Sequence, residues 1–305
     1  MQSVPKKSKF GILQIAKYFI FVVFAAWAFH YISNLTSQEE LGKSLRQIPW
    51  WAYLAALIGT TINWTLESAK WHKLINAIQF SSFSTSAKAV LSGTAVGNLL
   101  PYKIGEYLGK LYYVNNDKRA LSIPLSFISS TIQLFVNLSL CIFPALYILG
   151  NKAIQNQNWI MGLSLLFGFL LLLLLSYRHP KVKNWVHEVR KNFKLLTAKV
   201  ITQASLIAIL RFFSFLLAYA IVLKGATHLE FTTIIPGICA VYFMQSFAPG
   251  LVLTDGPVRI LLPVIVFKAM GADESTLIAA SMVNYLASVI LPSIFGIVFI
   301  LIRKR

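Results

Sequence analysis

The stretch Ser86–Val114, SAKAVLSGTAVGNLLPYKIGEYLGKLYYV, decides how the rest of the chain is read. Ala87–Leu100 is apolar enough to enter a bilayer, yet at about 1.5 Å per residue it is too short to cross one comfortably. Pro101 then removes an amide donor and disfavours helix at Leu100. Lys103, Gly105, Glu106 and Lys110 follow before apolar side chains return. Two half-helices meeting at this polar corner make a re-entrant hairpin, which is tolerated at membrane depth only where protein or a wet cavity covers it. A short surface hairpin between two ordinary spans is the alternative reading of the same residues.

Of the 305 residues, 57% are hydrophobic and 12% charged, with a mean hydropathy of +0.67. A soluble domain usually carries about 25% charged residues. The composition therefore predicts an all-α polytopic membrane protein, with 1–305 forming a single integral membrane domain. Phe10–Ile32 lacks a small-residue cleavage site and reads as a retained leading span. The net charge of +18 is explained by basic loops held at an anionic membrane surface, and a nucleic-acid partner is not expected. Cys141 and Cys239 lie in apolar runs and read as packing residues. No disulfide framework or metal-ligand spacing is present, so no cofactor is expected.

Basic residues orient the chain. Lys6, Lys7, Lys9 and Lys17 place the N terminus in the cytoplasm. A second span, Pro49–Leu66, begins at the interfacial pair Trp50 and Trp51 and ends before Lys70 and Lys73, on the inner side. If Ala87–Leu100 crossed fully, Lys103, Lys110, Lys118 and Arg119 would face outside; re-entry returns them to the cytoplasm. Leu121–Leu149 then crosses outward and Trp159–Ser176 returns. In Arg178–Lys199, basic residues surround Trp185, Val189, Phe193 and Leu196 at helical spacing, predicting an amphipathic helix on the inner surface. Ile201–Leu223 crosses with Arg211 inside it, and Phe231–Ala269 is broken at Ala248-Pro249-Gly250. Leu277–Ile302 ends at the cytoplasmic Arg303, Lys304 and Arg305.

The expected fold has about six full spans plus two re-entrant broken-helix hairpins in two halves of inverted topology, a pattern found in transporters. The halves are residues 49–149 and 201–302, preceded by the leading span 10–32 and joined by the connecting segment 159–199.

Charge inside a membrane usually faces a cavity, a pathway or a partner. Glu106 and Lys110 have favourable helical spacing for a pair. Lys103, Glu106 and Lys110 form either an anionic-headgroup site or a salt bridge that holds the hairpin. Arg211 sits too deep to reach an interface and should point into the protein. Asp255 closes a pair with Arg259, four residues on, or bridges Arg211. Gln133, Asn137 and Asn284 either line a cavity or join helices. No metalloenzyme motif, serine elbow, nucleotide loop or carboxylate dyad appears, so the chain is not read as an enzyme.

Asn98-Leu99-Leu100-Pro101-Tyr102-Lys103-Ile104-Gly105-Glu106, followed by Lys110, resembles the lysylphosphatidylglycerol synthase transmembrane-region family, which includes the flippase domain of bacterial multiple peptide resistance factors. The family pattern is roughly Asn-x-x-Pro-Gly-Arg-x-Gly-Glu with a basic residue four further on. Asn98, Pro101, Gly105 and Glu106 match, while Tyr102, Lys103 and Lys110 replace Gly, Arg and Arg. In the second half Phe247-Ala248-Pro249-Gly250 matches the start of a Pro-Gly-Gly-x-Gly-like break; Asp255-Gly256 stands near its later elements, without the usual Glu.

The resemblance implies hinge or structural roles for Asn98, Pro101, Gly105, Pro249 and Gly250. With the charged residues above, the expected headgroup-binding set is Lys103, Glu106, Lys110, Arg211, Asp255 and Arg259. It further implies a flippase moving an anionic, aminoacylated or polyprenyl-linked lipid headgroup between leaflets of the bacterial cytoplasmic membrane, with both termini inside. Lysyl transfer is not implied, because the synthase domain is absent from this sequence. The alternative is a lipid-binding accessory or regulator of envelope biogenesis that does not transport and works beside envelope-biosynthesis enzymes. A membrane-embedded transferase lacks a convergent acid–base set.

Overall fold

Helices begin where the sequence offers a short polar side chain or a proline to the unpaired amides of a first turn. The computed structural model describes residues 37–98, 104–153, 196–247 and 252–302. Ser37 and Glu40 form a capping box at the start of α1 (Gln38–Gln47), each side chain accepting from the other's backbone amide at 3.1 Å. Pro49 precedes α2 (Trp50–Ile75), and the Ser82 hydroxyl caps α3 (Phe83–Gly97). The eight-residue α4 (Ile104–Leu111) follows, then a 3-10 turn over Asn116–Lys118 that leads into α5 (Arg119–Ala153). Thr197 caps α6 (Ala198–Ala226), and α7 (Phe231–Phe247) and α8 (Val252–Lys268) come next. Last is α9 (Glu274–Tyr285), which passes through a π turn at Leu286–Ile290 into α10 (Leu291–Ile302).

Asp273 caps α9 by accepting from the Thr276 amide at 3.1 Å, and the Ser275 hydroxyl also donates to it. The Ser275 donation, with backbone amides behind it, holds the Asp273 carboxyl below its ordinary pKa. A depressed carboxylate stabilises the fold fully above the unfolded-state pKa and loses that contribution as pH falls through the folded value. Asp273→Ala is expected to cost about 1 kcal/mol, the usual worth of an N-cap, in thermal unfolding at neutral pH. Its difference from the parent should shrink as the solution is acidified.

The helices are held by close approaches that only small residues allow. Helices α2 and α6 run antiparallel: Gly225 faces Trp51 and Ala52, a Cβ on Gly59 would meet the Ala218 Cβ at 2.2 Å, and Asn63 faces Arg211. Helices α3 and α4 also lie antiparallel, with Gly105 against Val96 and Gly109 against Ser92 and Gly93. Helix α10 packs on α3 through Gly296 and Leu91, and α5 packs along α7. Burial divides into two apolar clusters. One gathers Phe212, Leu216, Ile238 and Phe267; the other gathers Trp71, Leu74, Leu125 and Ile128. On α2 the first contains Ala52 and Ala56 and the second Trp71; on α6 the first begins at Phe212 and the second ends at Ala208. The polar residues Asn63, Glu67 and Arg211 fall at the seam between them.

The expectation of about six full spans in two inverted halves is overturned. Among the described residues, 3 stretches are long and apolar enough to cross a membrane: Asn116–Ile148, Ala198–Ala226 and Glu274–Ile302, with Phe231–Phe247 apolar but shorter. The expected span Pro49–Leu66 is the first part of α2, which runs on to Ile75 and carries Glu67, Lys70 and Lys73. No inverted repeat emerges from the described helices. The 8-residue α4 would have to correspond to the 17-residue α8, and α5 is one continuous helix where α9 and α10 are joined by a π turn. The expected segments Phe10–Ile32 and Trp159–Ser176 lie outside the described residues, as do Pro101, Lys103, Pro249 and Gly250. Most of Arg178–Lys199 lies outside them too, and its end is corrected: Thr197 begins a new helix, so Lys199 belongs to α6.

Candidate functional site

At the seam of the two apolar clusters lies a cavity of about 520 Å³. Helix periodicity brings its charges together. Asn63, Glu67 and Lys70 are spaced four and three residues apart on α2 and so share one face. Lys70 Nζ lies 2.7 Å and Arg211 Nη1 2.9 Å from the same Glu67 carboxylate oxygen, Oε2. Glu67 and Lys70 are almost wholly buried, at 4% and 1% exposure. Arg211 also donates through Nε to Asn63 Oδ1 and through Nη1 to Gln133 Oε1, both at 3.2 Å, while Asn63 Nδ2 donates to the Arg211 carbonyl. Gln133 passes the chain on to Asn137 at 3.0 Å. The guanidinium stands 5.6 Å from the centre of the Trp64 ring, within cation–π range.

Helix α4 supplies the next charges. Lys110 Nζ is 2.7 Å from Glu106 Oε1 and 4.9 Å from the centre of the Trp71 ring. Glu106 lines the cavity, whereas Lys110 is buried behind it at 1% exposure. From α8, Arg259 Nε meets Asp255 Oδ2 at 2.7 Å, and both residues line the cavity. Two buried hydroxyls that line it, Tyr242 Oη and Ser288 Oγ, have no hydrogen-bond partner among the described residues.

The π turn forms part of the wall. Ser288 and Val289 line the cavity, and the Ser288 carbonyl accepts from Trp64 Nε1 at 3.0 Å. Insertion of an extra residue into a helix turn frees backbone acceptors, and such turns recur at functional sites. Asn98, at the end of α3, donates to the Ser293 hydroxyl at 2.7 Å, and Ser293 donates to the Val289 carbonyl at 2.6 Å. This chain ties the end of the first half-helix to the segment that carries the π turn.

The structure thus gathers Glu106, Arg211, Asp255 and Arg259 around one space. Asp255 pairs with Arg259 in its own helix; Arg211 takes Glu67 and not Asp255. Gln133 and Asn137 line the cavity, and Asn284 is not among its lining residues. Gly105 acts through close approach, since a Cβ there would lie 2.0 Å from the Val96 carbonyl oxygen. The expectation from sequence has no role for Glu67 and sets Lys70 at the inner end of the second span; the two are buried together as an ion pair in the cavity wall. The spacing of Asn63, Glu67 and Lys70 was the available signal, masked by ending the span at Leu66.

Residues 14–296 match the family described as the lysylphosphatidylglycerol synthase TM region. The chain belongs to that family. No curated protein matches it. Membership makes it a multi-pass membrane protein related to a lipid-handling domain, and the region that this family describes is a transmembrane one without catalytic function. Among the described residues no group of three or more His, Cys, Asp or Glu side chains converges in a way that could hold a metal ion.

Proposed function

We propose that this member of the lysylphosphatidylglycerol synthase transmembrane-region family moves a lipid headgroup between the leaflets of the bacterial cytoplasmic membrane, with its acyl chains remaining in lipid. The observation that carries the reading is the cavity itself. It sets ion-paired groups from α2, α4, α6 and α8 at the seam of two apolar clusters, where they replace the water a charged headgroup would lose. Glu106, Arg211, Asp255 and Arg259 line it as headgroup contacts. Lys110 holds Glu106, and Lys103, three residues before Glu106 in the sequence, joins them as a headgroup contact. The basic segments at both ends favour cytoplasmic termini.

Leaflet exchange in proteoliposomes tests this, with the full chain and a panel of anionic, aminoacylated and polyprenyl lipids. Protein-dependent exchange of at least one is expected. Lys103→Ala and Glu106→Ala should each slow it by about tenfold or more, the worth of a hydrogen bond to a charged group. Thermal stability should fall much less. Equal losses of stability and exchange would reduce the Glu106–Lys110 pair to hairpin support, and folded protein that exchanges none of the lipids would end the transport reading.

A further inference from the structure

We infer that Cys141 and Cys239 form an oxidation site: a hydroperoxide joins them in a reversible disulfide that staples α5 to α7 and arrests headgroup passage. The arrest rests on the transport reading; the disulfide does not.

These are the chain's 2 cysteines. They stand far apart in sequence, yet α5 packs along α7 and brings them together. Their side chains hydrogen-bond each other, so the two sulfurs face one another across the helix contact. Cys141 is wholly buried and Cys239 is 3% exposed, in one apolar cluster that also holds Ala145 and Ile238. Such burial shields a thiol from bulky reagents but not from hydrogen peroxide, which is small and uncharged. The cavity comes close to the pair: Asn137, one turn before Cys141, and Tyr242, three residues after Cys239, both line it. With the termini inside, α5 runs outward, and Cys239 lies about 12 Å of helix beyond Phe231, the outer start of α7. The pair then sits in the outer half of the membrane, toward the compartment where disulfides form and persist.

One thiol gives up its proton, and its sulfur attacks an oxygen of hydrogen peroxide. The O–O bond breaks, leaving a sulfenic acid and a hydroxide that takes the proton as water. The second sulfur attacks the sulfenic sulfur, the S–S bond forms, and the expelled hydroxyl leaves as water with the second thiol's proton. Two thiols are oxidised to one disulfide while one peroxide is reduced to two waters. A dithiol reverses the bond by exchange. Helix α5 carries Gln133 and Asn137 into the cavity wall and α7 carries Tyr242 and Gln245. Passing a headgroup requires these walls to part and close again, and a covalent bond about one turn away holds them fixed.

Full chain in proteoliposomes, assayed with the lipid it exchanges fastest, would be treated with dilute hydrogen peroxide. Exchange, thermal unfolding, and intact mass after alkylation in denaturant are then read together. Neither thiol should be alkylated, and the mass should fall by two hydrogens. The unfolding temperature should rise, because the bond closes a long loop of the unfolded chain. Most of the exchange should be lost and should return with dithiothreitol. General oxidative damage would instead lower the unfolding temperature and survive the reductant. Cys141→Ala and Cys239→Ala should each keep their exchange in peroxide; if either fails to fold, the parent's own loss and recovery decide. Thiols that stay alkylatable, or go on to sulfinic or sulfonic acids, overturn the site, as do disulfide-linked dimers. A disulfide that leaves exchange unchanged overturns the arrest. The disulfide in protein that exchanges none of the lipids would sink transport and keep the oxidation site.

Discussion

Glu67→Leu is expected to destabilise the protein by about 3–5 kcal/mol, the cost of removing one partner from a buried ion pair. The substitution leaves Lys70 and Arg211 facing each other with no carboxylate between them. Among the described residues Lys70 then keeps only the Ser129 carbonyl at 3.3 Å and Gln133 Oε1 at 3.4 Å, both weak replacements. Adding Lys70→Met should recover part of the loss, because the double variant removes one of the two stranded cations. Residues in one ion-pair network are coupled and their effects do not add. Thermal unfolding of the single and double variants checks both points. A Glu67→Leu protein within about 0.5 kcal/mol of the parent, the range of ordinary surface substitutions, would show that the network does not hold the seam.

The second large effect belongs to Gly105. A Cβ at this position would lie 2.0 Å from the Val96 carbonyl oxygen and 2.8 Å from the Gly97 amide nitrogen. Backbone stands on both sides of the contact, so no side-chain rotation relieves it, and α3 and α4 must separate. Overpacking of this kind costs about 1–3 kcal/mol and occasionally more; Gly105→Ala should sit at the upper end. Gly42→Ala is the control, with nothing within 4 Å of its Cβ. There the gain in helix propensity should leave stability unchanged or raise it by about 0.5–1 kcal/mol. Because Gly97 packs on Glu106 and Gly93 on both Glu106 and Lys110, separation of the two helices would also displace the α4 charges from the cavity wall. Parent-like stability in Gly105→Ala would contradict the close packing of the hairpin.

What the sequence made legible follows the range of the interactions concerned. The all-helical membrane class came from composition, and the Glu106–Lys110 and Asp255–Arg259 pairs from spacing within one helix turn. The motif Asn98–Glu106 pointed to the correct family. Reading failed where a partner lies far along the chain. Arg211 was expected to point inward, yet its carboxylate sits 144 positions earlier, on a helix that hydropathy had cut short at Leu66. Charge within α2 lowered its apparent claim to be one continuous helix, and that same charge forms the centre of the site. The π turn at Leu286–Ile290 left no sequence mark either; its carbonyl at Ser288 is met by Trp64, more than 200 positions earlier in the chain. Among the described residues, the expected span that does not qualify is Pro49–Leu66, which continues within α2 into Glu67, Lys70 and Lys73.

The measurement closest to the central claim is photo-crosslinking with a phosphatidylglycerol that carries its reactive group on the headgroup, in vesicles holding the full chain. Adducts are predicted on peptides of the cavity wall, around Arg211 in α6 and Gln245 in α7, and they should be suppressed by excess unlabelled phosphatidylglycerol. Adducts confined to exposed outer positions such as Phe143 and Tyr147 of α5 would contradict the claim that the headgroup enters the cavity.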